Sequence, residues 1–500
     1  MSDRKLNGRG WRSARALALT LGVTTVLVAC DSLLDVDLPS QLTEEALDDP
    51  TSAETQVTSA IAHFECGYST WAYFIAGDED SMDPQGAVYY ASGAHVFQTG
   101  TETGNCDSNA QSTGHYTEWV VSRKMASDAY DRLTTDWAGV ANSQRLAAIA
   151  ALYAAANVEI FGELFCEMAI DSGPLLTPSA TLDVANQWVQ RALDLIGSGG
   201  DFEMPHDVTP GPGGAEALAY ALRSRILWAQ GDLSGAAAAG AQVPEGFVAH
   251  VTRGGGLQRR NKVYQQGTST GYAAVARVND WWAGDPNPAT GQPWPAQIPF
   301  TGYLDLGILP ADGRAVWDDN GLPVRMAGLY LKPEDATAVM DTRVTHFTKS
   351  LQGGSTGEVP NKYTADEDPI PFVNWEEIWL IRAEAAGGQT AIDLVNDIRA
   401  AHGLPLVSYA DPGNATQIRY MIIEEKRRSL WLEGRYIMTK IQNTDLLWFP
   451  RAQGATPSQG AQYFGGVRRL MPNNEYELNP NLTLDDRATG CDPAQAPVLF

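Results

Sequence analysis

The sequence predicts a mostly α-helical protein in which helix–turn–helix hairpins pack against a loop-rich, irregular region. Three observations predict it. Apolar residues recur at helical spacing over about 115–245 and again over about 375–440. Two of these stretches share one build: helix, short glycine turn, helix. Between them, residues 246–368 are dense in Gly and Pro, hold Trp281, Trp282, Trp294 and Trp317, and show no sustained helical period. Loops of that length are uncommon unless they carry function.

Composition narrows the function classes. The chain has 500 residues, 44% hydrophobic and 19% charged, which excludes wholesale disorder. Asp and Glu outnumber Lys and Arg by 60 to 35, giving a formal net charge of −25. A chain this acidic repels phosphate backbones and anionic lipid headgroups, so no nucleic-acid partner is expected.

Residues 1–29 read as a lipoprotein signal peptide. Arg4, Lys5, Arg9, Arg12 and Arg15 precede an apolar stretch from Ala16 to Ala29 that is short for a membrane span. The stretch ends Leu27-Val28-Ala29-Cys30, which resembles a bacterial lipobox, with Cys30 as the lipidated first residue of the mature chain. Diacylglycerol plus an amide-linked acyl chain supplies the two lipid signals that stable anchoring needs. The alternative is a soluble secreted protein cleaved nearby. No other stretch reads as apolar enough to span a bilayer. Removing the basic leader makes the mature chain more acidic still.

Residues 30–50 read as a tether, and 51–500 as a single body. Thr51–His63 has helical character. Gly67–Gly114 is rich in Gly, aromatics and acids and reads as loop. Helical pattern runs from His115 to Phe165 with a turn near Ala138–Asn142, then from Leu182 to Ile196. Ala215–Gln230 and Leu233–Gln242 flank a Gly231-Asp232 turn. Trp375–Ala386 and Thr390–His402 flank Gly387-Gly388, and Gly403 with Pro405 stops the second helix. Ala221, Ala236, Ala239, Ala383 and Ala391 sit where paired helices must approach closely. This is the build of tetratricopeptide-like hairpins. Ala415–Lys440 reads as the last long helix, and a Pro/Asn-rich tail follows.

With Cys30 lipidated, Cys66, Cys106, Cys166 and Cys491 remain, an even number that suits an oxidising compartment. Of three pairings, Cys66 with Cys106 and Cys166 with Cys491 is favoured, because it closes a short loop and ties the tail to the body. Free buried thiols are the alternative. There is no CxxC and no His at ligand spacing beside a Cys, so no zinc site or other cofactor is expected.

Candidate chemistry falls in three places. Glu424, Arg428, Glu433 and Arg435 read as a structural ion-pair network; Glu424 and Arg428 stand in the favourable i,i+4 order. Asp78-Glu79-Asp80 with Asp83, and Asp318-Asp319-Asn320-Gly321, carry carboxylates but lack the ligand spacing of a calcium loop and read as solvated turns. No HExxH, GxSxG or phosphate-binding glycine loop is present, and nothing among the 60 acids singles out a glycosidase pair. Aromatics are the third place. Sugars stack their C–H faces on Trp and Tyr while their hydroxyls bond Asp, Asn, Gln and Arg. Tyr68, Trp71, Tyr73, Asp78 and Asp83 form one candidate ligand group. Asp280, Trp281, Trp282, Trp294 and Trp317, with Asn279 and Asp285, form the other. The competing reading has these aromatics filling the core of an irregular region. Trp188, Trp228, Trp375, Trp379 and Trp431 sit on helical patterns and read as packing.

Several motifs, in order, resemble the SusD/RagB family of outer-membrane nutrient-uptake lipoproteins. After the lipobox come LLDVDLPSQLTEEAL and Asp49-Pro50. Asp341-Thr342-Arg343 is similar to the family's Asp-Pro-Arg turn, with Thr for Pro. Asn361-Lys362-Tyr363 precedes IPFVNWEEIWLIRAEA, which looks like its most recognisable helix. Ile423–Arg435 (IEEKRRSLWLEGR) resembles its Glu-Glu-Arg-Arg-x-Leu-x-x-Glu-Gly-x-Arg block, and MPNNEYELNPNL its terminal pattern. The resemblance implies four tetratricopeptide-like units on an irregular loop region. It implies a non-catalytic, lipid-anchored, surface-exposed protein of the outer membrane. Such a protein captures a nutrient, often a glycan, and delivers it to a TonB-dependent (SusC-like) barrel. An extracellular hydrolase and a scaffold lipoprotein of the envelope are the rival readings.

Overall fold

The computed structural model describes residues 47–79, 81–84, 115–204, 213–256, 259–268, 276–278, 297–299, 316–317, 323–325, 340–350, 356–404, 406–407, 410–443 and 468–488. Residues 1–52 form one unit and Ala53–Phe500 a second. In the first, Asp49 accepts from the N–H and hydroxyl of Thr51, both at 2.8 Å, at the start of a 3₁₀ turn, Pro50–Ser52. Cys30 and the leader lie outside the described residues.

The second unit is mostly helical. Its helices are α1 (Ala53–Asp78), α2 (His115–Thr134), α3 (Ser143–Leu164), α4 (Pro178–Gly199), α5 (Ala215–Ala229) and α6 (Leu233–Gly240). After the insert come α7 (Trp375–Ala386), α8 (Gly388–Ala401), α9 (Ala415–Ser429), α10 (Tyr436–Gln442) and α11 (Asn473–Leu478). Helices α1 and α2 pack as a pair, as do α3 and α4, α5 and α6, and α7 and α8. Contacts of α2 with α3, α4 with α5, and α6 with α7 join each pair to the next.

Local chemistry sets the helix ends. Thr177 caps α4 through Ala180 N–H, with Pro178 as the first helical residue. Asp232 caps α6 through Gly235 N–H, Asn374 caps α7 through Glu376 N–H, and Asn414 caps α9 through Thr416 and Gln417 N–H. Small residues then let the pairs close. A Cβ on Gly240 of α6 would stand 2.9 Å from Ile378 of α7 and 3.0 Å from Ser224 of α5, so only hydrogen fits where the three helices meet.

Helix α3 is the centre. It is long and apolar enough to cross a membrane by length and composition, contrary to the expectation that only the leader approaches this. Its side chains are buried from Ala147 to Leu164, so its all-round apolarity marks a core helix.

Two sequence expectations are corrected. The segment from Gly67 is helical as far as Asp78, because Phe64, Tyr68, Trp71 and Ile75 continue the apolar stripe of α1 into the core. Gly67 interrupts propensity there, yet its bare Cα is required: a Cβ would lie 2.7 Å from Trp119 Nε1. The predicted helix 415–440 breaks between α9 and α10, where Leu432 (φ 60°) and Gly434 (φ 74°) take left-handed backbone. Short strands thread the loop-rich insert. A strand, β4 (Val248–Val251), pairs antiparallel with β11 (Ile370–Asn374), with Ile370 opposite Val251. The 11-residue strand β9 (Met340–Ser350) lies between β10 (Thr356–Pro360) and β6 (Gln297–Pro299). Its run of Val, Thr, His and Phe favours extended chain.

Candidate functional site

The block at 423–435 sits at the heart of the second unit. Every residue from Met421 to Ile441 is buried, including Glu424, Glu425, Lys426, Arg427, Arg428, Glu433, Arg435 and Lys440. Buried charge is tolerated only when paired and hydrogen-bonded. Three groups supply much of the pairing.

The first joins α3, α5, α7 and the start of α10. Arg435 donates two bonds to Glu163, 2.7 and 3.2 Å, and two more to Glu377 Oε1, 3.1 and 3.0 Å. Arg225 donates to the other oxygen of Glu377 through Nε at 2.9 Å and Nη2 at 2.5 Å. Burial would raise Glu377, but Arg225 and Arg435 outweigh it and hold the carboxyl below its usual range. Glu159 differs. Its Oε1 stands 3.7 Å from Arg225 and 3.8 Å from Arg435, beyond hydrogen-bond reach, and burial with the neighbouring Glu163 charge pushes it up to about 8.

The second group explains the Asp341-Thr342-Arg343 motif. Glu425 accepts from Arg343 of β9 at 2.8 Å and from Arg399 Nε of α8 at 2.8 Å. Burial would raise Glu425; the two guanidiniums together hold it low. The third explains Asn361-Lys362-Tyr363. Lys362 Nζ donates to Glu433 and to the Trp431 carbonyl, both at 2.7 Å, and Tyr363 OH donates to the Leu432 carbonyl at 3.2 Å. Glu424 accepts from Arg428 Nε at 2.7 Å within α9. The terminal motif staples the tail: Asn479 donates to the Gly173 carbonyl at 2.9 Å and Asn481 to that of Ser172 at 2.8 Å.

The first aromatic ligand group is thereby corrected. Tyr68, Trp71 and Tyr73 are 1%, 1% and 2% exposed. Tyr68 OH donates to the Glu433 carbonyl and Trp71 Nε1 to that of Gly434, both at 2.9 Å, so they clamp the turn between α9 and α10. Side chains with no solvent-facing surface present nothing for a sugar to stack on. Asp78 is the last residue of α1, and Asp83 lies in β1 (Met82–Pro84) opposite Arg277 of β5 (Ala276–Val278). Glu79, between them in sequence, is buried and accepts the Ile437 N–H at 3.0 Å. In the second group, Trp317 lies in β7 (Val316–Trp317), opposite Pro323 of β8 (Pro323–Arg325). Asp280, Trp281, Trp282 and Trp294 lie outside the described residues.

Cys66 and Cys166 are disulfide-bonded. Cys106 and Cys491, their favoured partners from sequence, lie outside the described residues.

Sequence reasoning missed Glu159, Glu163, Arg225, Glu377 and Arg399. A signal was available: Glu159 and Glu163 stand one helical turn apart in an otherwise apolar, alanine-rich helix, where an unpaired carboxylate is too costly to bury.

Among the described residues one cleft, with a volume of about 470 Å³, opens at the turns of two hairpins. Trp228, Leu233, Ile418 and Ile422 line it, with Glu384 and Asn443. Glu384 accepts from Lys426 at 2.9 Å and from the Trp228 indole, and Asn443 Oδ1 accepts from Arg419 at 2.8 Å. These polar groups are already engaged. The volume suits a small ligand, but the lining offers apolar contact more than hydroxyl recognition.

Against this geometry, no protein-family model and no curated protein matches the sequence. Solved structures match the fold. A SusD-like protein from Bacteroides fragilis aligns with a TM-score of 0.55 at 14% identity, covering 90% of this chain and 98% of that one. A laminarin-binding SusD-like protein aligns at 0.51 and 15% identity, covering 88% and 99%. A surface glycan-binding protein A from Bacteroides uniformis aligns at 0.50 and 14%, covering 86% and 99%. The chain therefore has the SusD-like fold, mostly helical and tetratricopeptide-like.

Proposed function

We propose that the protein is a lipid-anchored, surface-exposed binding protein of the outer membrane that captures an oligosaccharide and delivers it to a TonB-dependent transporter, without chemistry on the ligand. The observation that carries this reading is the fold, shared over nearly the whole length of proteins named for laminarin and surface-glycan binding. The lipobox ending at Cys30 supports the anchor, and the ordered motifs support the barrel partner. The acidic balance, 60 acids against 35 bases, favours a neutral glycan over a sulfated or uronate one, because like charges repel. The sugar contacts fall to the tryptophan-bearing insert, Trp281, Trp282, Trp294 and Trp317, now that Tyr68, Trp71 and Tyr73 are accounted for by the core.

Isothermal titration with laminarin-type β-glucans, neutral α-glucans and anionic glycans tests the ligand. Binding of a neutral oligosaccharide that is lost in Trp282→Ala or Trp281→Ala, with thermal stability unchanged, is expected. Shortening of the bound oligosaccharide during incubation would refute the non-catalytic part. Mild-detergent purification of the lipidated protein with a stoichiometric large barrel tests the partner; recovery without one overturns it.

A further inference from the structure

In the core of the second unit three carboxylates, Glu159, Glu163 and Glu377, face two guanidiniums, Arg225 and Arg435. All five side chains are at most 3% exposed. The carboxylates do not share the cations equally. Glu163 takes two bonds from Arg435, and Glu377 bonds to both Arg225 and Arg435. Glu159 Oε1 has no hydrogen-bond partner, and its nearest cationic nitrogens stand at 3.7 and 3.8 Å.

Among the described residues packed on α3, the cations outside the cluster are engaged elsewhere: Arg468 of the tail donates to the Gly162 and Glu163 carbonyls at 3.0 and 2.6 Å, and Arg469 lies over the Trp71 ring. Helix α1 contributes Tyr68, a neutral phenol bonded to the Glu433 carbonyl. Helix α2 contributes Glu118, engaged with His63, and Arg123, engaged with Asp171. On α4, Asp183 accepts from Gln230 and Asp194 from Gln190, while Arg191 stacks on Trp188. With all three carboxylates ionised, these five buried groups would together carry a net negative charge. That is too costly in a desolvated site, and a proton removes the cost.

We infer that the folded protein holds one proton in this cluster, on Glu159, and that the fold weakens as the medium turns alkaline and withdraws it. Burial and the Glu163 charge, which push Glu159 up to about 8 from an ordinary 4.5, agree with the geometry. The sign follows from linkage. A carboxyl raised on folding contributes its full stability below the unfolded value, near 4.5. That contribution is lost as pH rises, and the loss is complete above the folded value.

The test is urea unfolding of the full mature chain and its Glu159→Gln variant, measured from about pH 5 to about pH 9. The amide replaces the protonated acid in shape and charge. The wild-type folding constant, relative to the variant's, is expected to fall by up to about tenfold per pH unit within that window and to level off above it. A ratio that does not change with pH overturns the inference. Glu163→Gln serves as contrast, because it strips a hydrogen-bonded carboxylate from Arg435: it should destabilise across the whole range. A Glu163→Gln profile that matches that of Glu159→Gln would place the proton elsewhere and also overturn the assignment. Should Glu159→Gln not fold, difference infrared spectra of the wild-type chain decide. A carboxylic-acid carbonyl band present near neutrality and bleached in alkali, without loss of helix, supports the buried proton; its absence refutes it.

Discussion

Replacing Arg435 by Met should unfold much of what the hub holds. The substitution keeps an unbranched, flexible side chain about as long as the arginine stem but removes the guanidinium. Four hydrogen bonds, to Glu163 at 2.7 and 3.2 Å and to Glu377 at 3.1 and 3.0 Å, go with it. Glu163 loses both of those bonds, while Glu377 keeps Arg225. Breaking a fully buried pair by removing one partner costs about 3–5 kcal/mol, because the stranded carboxylate must be desolvated alone or protonated. A typical domain has about 5–15 kcal/mol in total, so the loss is a large share. Equilibrium urea unfolding followed by far-UV circular dichroism measures it. The reasoning also sets the double variant: Arg435→Met with Glu163→Gln should recover part of the loss, with a coupling of about 0.5–3 kcal/mol. A single-variant cost below about 1 kcal/mol, or strictly additive costs in the double variant, would refute the account of the hub as a mutually dependent charge cluster.

Three further outcomes are expected. Gly434→Ala forces a side chain onto φ 74° with its Cβ 3.0 Å from Ala72 Cα, and should cost about 1–3 kcal/mol in the same unfolding assay; a neutral effect would mean that the turn shifts freely. Glu377 and Glu425 are held below their ordinary values, so their contribution is present above about 4.5 and lost as pH falls through the folded values; urea midpoints measured from pH 6 down to pH 3 should fall, and Arg399→Gln should shallow that fall. Trp71→Phe removes the bond to the Gly434 carbonyl and should lower stability by about 1–2 kcal/mol while leaving glycan affinity in titration calorimetry unchanged; a large loss of affinity at unchanged stability would return Trp71 to the ligand site.

The hairpins were legible because their signals are local. The Gly231-Asp232 and Gly387-Gly388 turns stand in sequence beside the apolar repeats they separate, and Asp232 caps the helix it precedes. The end of α1 was not legible, because glycine at 67 and the aromatic density after it look like loop until Trp119 is known to lie against that glycine. The ion pairs were half legible. Glu424 and Arg428 announce themselves by i,i+4 spacing, whereas Arg343 reaches Glu425 across 82 positions and Arg435 reaches Glu163 across 272. No local rule encodes such distances. Aromatic residues misled for a related reason: stacking on a sugar and stacking in a core ask for the same side chains, and only burial separates Tyr68 from a ligand platform.

The turn between α9 and α10 also sets how the chain can come apart. In a simple repeat array each hairpin answers only to its neighbours, and the ends fray independently. Here the turn is gripped by Tyr68 and Trp71, 365 and 363 positions away from the carbonyls they bind, and by Lys362. The first hairpin therefore cannot complete its core until nearly the last helix has been made. Contacts over such separations form slowly, so the core of the first hairpin is expected to be completed late in folding. Cutting the chain ahead of residue 430 should leave not a shorter solenoid but a set of unsatisfied helices, so the second unit is expected to behave as a single folding unit despite its repeated appearance.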